Sequence, residues 1–166
     1  MKEVFQKLYQ NYHQDIFQFI FYMVKDRDLA EDLVQEVYVK VLRSYNSFKG
    51  ESSEKTWLFS VAKHVTFDYF RRQKRKRKRI NETIDFHEKG QFIPDNAKLP
   101  EEIALENDEI RKMYYCLSQC SYDQQAVLIL RFIQSLSIKE TANVLNWSIS
   151  KVKTTQHRAM KTLKQQ

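Results

Sequence analysis

The chain has 166 residues, a net charge of +7 at neutral pH and 42% hydrophobic residues, enough apolar side chain for one or two small cores. No apolar run approaches the ~20 residues that span a bilayer, and the N-terminus MKEVFQKLYQ has no signal-peptide core, so a cytoplasmic protein with no direct membrane insertion is expected. Its two glycines, Gly50 and Gly90, form no phosphate loop, and its two cysteines, Cys116 and Cys120, lack a second Cys or His pair at ligand spacing. Neither a nucleotide-dependent enzyme nor a metal or cofactor site is expected.

From the N-terminus, Phe5, Leu8, Tyr9, Tyr12, Ile16, Phe19, Ile20 and Met23 recur at steps of three and four, which predicts a helix ending near Lys25 and Asp26. A second helix is predicted from about Asp28, with Ala30, Leu33, Val34, Val37, Val41 and Leu42 as its apolar stripe. Opposite that stripe run Asp28, Glu31, Asp32, Gln35 and Glu36. Such an acidic and amide strip repels DNA and suits a basic protein partner, or it is a solvated face that favours the helix dipole. The stretch 44–53, around Gly50, reads as a loop. A third helix puts Trp57, Leu58, Val61, Ala62, Val65 and Tyr69 on one face.

The run RRQKRKRKR, residues 71–79, holds 8 basic residues and no acid. It is either a phosphate grip or a solvated helix end whose cations satisfy terminal carbonyls. From Ile80 to about Glu106 the periodicity fades, both prolines (Pro94 and Pro100) appear, and acids dominate, as expected of a linker. Helical pattern resumes over Asp108–Gln119 and Asp123–Gln134. Residues 111–166 carry 9 basic and 2 acidic groups, so the chain has two positive blocks separated by an acidic one. That segregation suggests a polyanion gripped at two places.

The segment SIKETANVLNWSISKVKTTQHRAMKTL, Ser137 to Leu163, reads as two short helices joined by a tight turn. Ile138, Ala142 and Leu145 form one core side, and Val152, Ala159 and Leu163 the other. The remaining face of the second helix carries Ser150, Lys151, Lys153, Thr154, His157, Arg158 and Lys161, groups that read base edges and grip phosphates. By spacing alone, a helix-turn-helix DNA reader and a plain helical hairpin both stay open. The expected fold class is all-α, with an N-terminal three-to-four-helix bundle (1–79), an acidic linker (80–107) and a C-terminal four-helix domain with helix-turn-helix (108–166).

The strip DLVQEVY from Asp32, the stretch FKGESSEKTWLFSVAKHVTFDYFRR (Phe48 to Arg72) and the C-terminal helix-turn-helix resemble, in order and spacing, the extracytoplasmic-function (ECF) sigma factors of bacterial RNA polymerase. The resemblance covers nearly the whole chain except the linker. It implies that Asp32, Gln35 and Glu36, flanked by Asp28 and Glu31, dock on a coiled coil of the polymerase core. It implies that the Trp57 helix reads and opens the minus-ten element, with Trp57, Val61, Ala62 and Val65 inward and Ser60, Lys63, His64, Phe67, Arg71 and Arg72 facing DNA. The loop 49–56 would pocket an unstacked base of the melted non-template strand, with Gly50, Glu51, Ser52 and Ser53 as the contacts; capturing a base costs a few kcal/mol of unstacking.

By the same resemblance, Ser150, Lys151, Lys153, Thr154, His157 and Arg158 contact the minus-thirty-five element. Arg158 suits guanine because its fork matches two acceptors. Family members commonly have an anti-sigma factor, often membrane-bound, and a linker that threads a basic cleft of the polymerase. Two positions depart from the family pattern. His64 stands where an Asn is common, and imidazole does not reproduce an amide's paired donor and acceptor. Gln156 stands where an aliphatic residue is usual, either at a helix edge reaching DNA or as a polar core residue. Two rival classes are a stand-alone helix-turn-helix regulator, which the acidic strip and the two-block charge argue against, and a DNA-processing enzyme, for which no converging carboxylates are seen.

Overall fold

The structure is a computed structural model that describes residues 2–47, 53–83, 103 and 105–165. Among the described residues the regular elements are all helical. Helix α1 spans Lys2–Val24, with Leu8, Ile16, Phe19, Ile20 and Met23 buried as their spacing requires. It stops at Lys25, whose φ of 61° lies in the left-handed region that breaks a right-handed helix. Asp26 then caps α2, Arg27–Ser44, its carboxylate accepting from the Leu29 amide at 3.1 Å. A 3-10 turn, Tyr45–Ser47, follows.

Helix α3 spans Glu54–Thr83, and Ser53 Oγ accepts from the Thr56 amide at its start. The helix runs beyond the domain boundary expected at residue 79, so the basic run lies within it, before the last turn. Helices α1, α2 and α3 pack pairwise into a bundle. Phe19 and Phe59 meet edge to face at its centre, with centroids 5.9 Å apart.

Several expected core assignments change, with Phe5, Tyr12, Tyr69, Ile138 and Leu163 only half-buried. Tyr9 and Leu42 are exposed, at 43% and 46%. In α3 the buried set is Leu58, Phe59, Ala62, Val65 and Thr66, while Trp57 and Val61 are only half-buried. The cause is that α3 is packed from two directions, by α1 and α2 and by a C-terminal helix, so its buried arc is wider and rotated toward Phe59. Trp57 instead lies edge-on to Tyr45 at 5.8 Å.

The C-terminal half is built from α4 (Asp108–Leu117), α5 (Tyr122–Leu128, continuing into a π-helical turn Ile129–Ile133), α6 (Ile138–Leu145) and α7 (Ile149–Lys164). Each start is capped by a side chain: Asn107, Ser121, Ser137 and Ser148. Ser121 with Gln124, and Ser137 with Glu140, form reciprocal capping boxes that satisfy two orphan amides each. Buried Leu117, Val127, Leu128, Ile129, Leu130, Leu136, Val144, Leu145, Val152 and Ala159 fill this core. The two halves also touch: α3 packs against α6, and α1 against α5 and the π-helical turn. Ile103, within the expected linker, is 3% exposed and packed into the core.

Candidate functional site

Asp28, Glu31, Asp32, Gln35 and Glu36 are all exposed on one side of α2, because the buried arc of Ala30, Leu33, Val34, Val37 and Val41 takes the other. Glu31 pairs with Arg27 at 3.4 Å, and Glu36 with Arg72 of α3 at 3.9 Å. Both pairs are half-exposed and therefore weak, so a partner's cations can displace them at little cost. Beside the strip, between α1 and α2, opens a groove of about 920 Å³ lined by Phe5, Tyr9, His13, Tyr38, Val39 and Leu42, with Ile103 also in its wall. Sequence reasoning missed it. Tyr38 is buried with no partner for its hydroxyl, and burial, aided by Tyr9, pushes its pKa up to about 12. Tyr38 sits one residue from Val37 and so carries a stripe-edge signal that could have flagged it.

On α3, His64, Arg71 and Arg72 are exposed, whereas Ser60, Lys63 and Phe67 are half-buried. Asp68 holds both arginines, each at 3.8 Å. The Lys63 ammonium lies 4.8 Å above the Phe67 ring, and burial lowers its pKa. His64 is pushed below its ordinary value by burial first and then by Lys63, Lys40 and Arg71. Ser53 is exposed and spends its oxygen on capping α3, donating also to Thr56 Oγ1 at 2.9 Å. Gly50, Glu51 and Ser52 lie outside the described residues. The cations of residues 74–79 sit on a helical stem before its last turn.

The helix-turn-helix is set by three residues. Asn146 adopts the left-handed conformation (φ 58°) that ends α6, and Ser148 caps α7 two residues later; between them the Trp147 amide bonds Ala142 O at 3.0 Å. Val152 and Ala159 are buried, so Ser150, Lys151, Lys153, Thr154, His157 and Arg158 are exposed together. The Lys151 ammonium lies 4.2 Å over the Trp147 ring. Gln156 is half-buried and accepts from Arg131 Nε at 3.0 Å, while Arg131 also bonds Leu136 O. It is a polar tie inside the domain.

Cys116 is half-buried and Cys120 buried, both as free thiols, and burial pushes the Cys120 pKa up. No helix among the described residues is long and apolar enough to cross a membrane.

A basic helix-turn-helix and a basic helical stem, on a chain whose regular elements are all helical among the described residues, define a DNA-binding protein of the helix-turn-helix class, and the same chain presents an outward acidic strip. The Sigma-70 region 2 family matches residues 8–76, and the Sigma-70, region 4 family matches 110–163. The ECF RNA polymerase sigma factor SigX of Bacillus subtilis (strain 168) is 55% identical over 164 residues, covering 99% of this chain and 84% of that protein. The RNA polymerase sigma factor YlaC of the same organism is 32% identical, over 98% and 91%. The sigma factor RpoE in complex with the anti-sigma factor NepR, from Bartonella quintana, superposes with a TM-score of 0.70 at 25% identity, over 99% and 96% of the two chains. CnrH in complex with the cytosolic domain of CnrY has the same fold, with a TM-score of 0.69 at 19% identity over 99% and 87%. The chain belongs to the ECF sigma factors of RNA polymerase.

Proposed function

We propose that this sigma factor docks core RNA polymerase through Asp28, Glu31, Asp32, Gln35 and Glu36, reads and melts the minus-ten element with α3 and the loop before it, and reads the minus-thirty-five element with α7. The carrying observation is the exposure of all five strip residues on the side of α2 opposite the core. In a chain of net charge +7, that local acidity fits a basic protein surface rather than nucleic acid. The division of labour follows spans 1–79, 80–107 and 108–166, with α3 carrying the first unit on to Thr83.

Ser60, Lys63, His64, Phe67, Arg71 and Arg72 of α3, with Gly50, Glu51, Ser52 and Ser53, meet the melted strand. Ser150, Lys151, Lys153, Thr154, His157 and Arg158 meet the duplex. The protein acts in the cytoplasm, uses no cofactor and performs no covalent chemistry. The relative RpoE was solved in complex with an anti-sigma factor, and an inhibitor of that kind is the natural regulator here. A stand-alone regulator would have no use for the strip.

The docking assignment is tested by Asp32→Lys with Glu36→Lys. Both side chains are exposed, and the Glu36–Arg72 pair is a weak surface contact, so the fold is retained. The double variant should fail to compete with the wild type for core polymerase in a pull-down. Equal competition would remove the strip from the interface.

A further inference from the structure

The reading helix α7 is tied to the rest of its domain by one guanidinium. Arg131 lies in the π-helical turn Ile129–Ile133, where the Gln134 amide reaches back to Ile129 O at 2.9 Å and Ser135 takes a left-handed φ of 58°. The Leu136 amide then donates to Leu130 O at 2.9 Å, and the turned-back chain presents its carbonyl to Arg131, whose Nη1 donates to Leu136 O at 2.6 Å. Arg131 Nε donates to Gln156 Oε1 of α7 at 3.0 Å. One half-buried side chain therefore joins the end of α5, the approach to α6 and the middle of α7.

Apolar packing alone leaves the rotation of α7 about its own axis weakly defined. Its buried residues are Val152 and Ala159, both small, with Met160 and Leu163 half-buried toward the far end. Gln156 stands between Val152 and Ala159 on the inner side. Apolar contacts are non-directional, whereas a hydrogen bond weakens steeply off axis, so the Gln156 amide adds the angular restraint that its neighbours lack. A half-buried amide without a partner would be destabilising, so the residue type is matched to Arg131. The guanidinium suits the task because its donors are fixed in one plane.

The proposed reading groups flank this tie. Thr154, His157 and Arg158 lie within a half-turn of Gln156 in sequence and are exposed. On a helix of about 5 Å radius, a rotation of about 20° carries a side-chain tip roughly 2 Å. A bidentate contact to a base edge does not survive such a displacement.

We propose that Gln156 is a positioning residue for promoter reading: held by Arg131, it sets the rotation of α7 and so decides which base edges of the minus-thirty-five element Thr154, His157 and Arg158 reach. Gln156 itself touches no DNA. The inference rests on the reading role proposed above for α7 and adds the side chain that aims it.

The test is run-off transcription by the full chain with core polymerase, on promoters substituted one base pair at a time through the minus-thirty-five and minus-ten elements. Gln156→Leu nearly keeps the volume and removes the acceptor. It should change the relative preferences across the minus-thirty-five positions several-fold and leave the minus-ten preferences as in the wild type. Gln156→Glu, which still accepts from Arg131, should keep the wild-type profile. A purely structural role would lower the active fraction, scaling every promoter by one factor and preserving both profiles, and that result overturns the proposal. A Gln156→Glu profile altered as much as that of Gln156→Leu overturns it too. If Gln156→Leu does not fold, Arg131→Lys breaks the tie from the other side and is held to the same profile test. The tie and the reading role fail separately. Solvent exchange of the Arg131 Nε–H, followed by nuclear magnetic resonance, should be several-fold faster in Gln156→Leu than in the wild type, and equal rates overturn the tie. A wild-type profile flat across the minus-thirty-five positions would remove the reading role of α7, and the proposal with it, while the exchange result stands.

Discussion

Arg158 presents a guanidinium fork on the exposed face of α7, opposite Val152 and Ala159, and of the contacts proposed for the minus-thirty-five element it is the one best matched to guanine. A bidentate contact to guanine is worth about 1–3 kcal/mol of discrimination. Arg158→Ala should therefore lower transcription from promoters with an intact minus-thirty-five guanine and leave guanine-substituted ones little changed; equal loss on both would mark a phosphate contact. His64 acts as a neutral ring at pH 7, since burial and neighbouring cations hold its pKa below the ordinary value. His64→Asn should accordingly change minus-ten base preference without changing the salt dependence of promoter binding, which a lost cation would reduce. Gln156 shows where periodicity stops. Its spacing from Val152 placed it on the inner side of α7, but the partner that explains an amide there, Arg131, is 25 residues upstream and invisible to any local pattern.

At the scale of elements, the helices follow from apolar spacing and their ends from capping chemistry. Ser137 with Glu140 closes a capping box on α6, and Asn146 and Ser148 set the turn. Ser137→Ala should cost about 1 kcal/mol, read as a lower urea midpoint with an unchanged slope, because it strips an acceptor from the first turn. The same local rules mislocated the inner face of α3. Its buried arc is set by helices on two sides, and a one-sided stripe does not encode the second. They also gave no sign of the π-helical turn at Ile129–Ile133, which arises where α5 meets both α6 and α1.

At the scale of the whole molecule, the contact between the halves depends on residues as far apart as Lys25 and Gln125. No sequence pattern announced it, because neither residue belongs to a periodic stripe or a motif. Burial lowers the Lys25 pKa to about 8 from an ordinary 10.5. Between those values a chain whose halves have separated, returning Lys25 to water, would hold a proton that the packed chain has lost, so the contact between the halves strengthens as pH rises from about 8 towards 10.5 and is weakest below. Scattering at pH 7.5 and 9.5 should show the wild type compacting relative to Lys25→Asn, which keeps a side chain tolerant of the left-handed backbone. The Cys120 thiol beside Lys25, pushed up by burial and drawn down by Lys25, opposes this trend, so both proteins are compared in a Cys120→Ser background. The central claim, that this chain gives core polymerase its promoter specificity, is tested most directly by run-off transcription with purified components. Chain and core together should yield discrete transcripts from a subset of promoters that neither yields alone, and core activity unchanged by the chain across a genomic promoter library would contradict it.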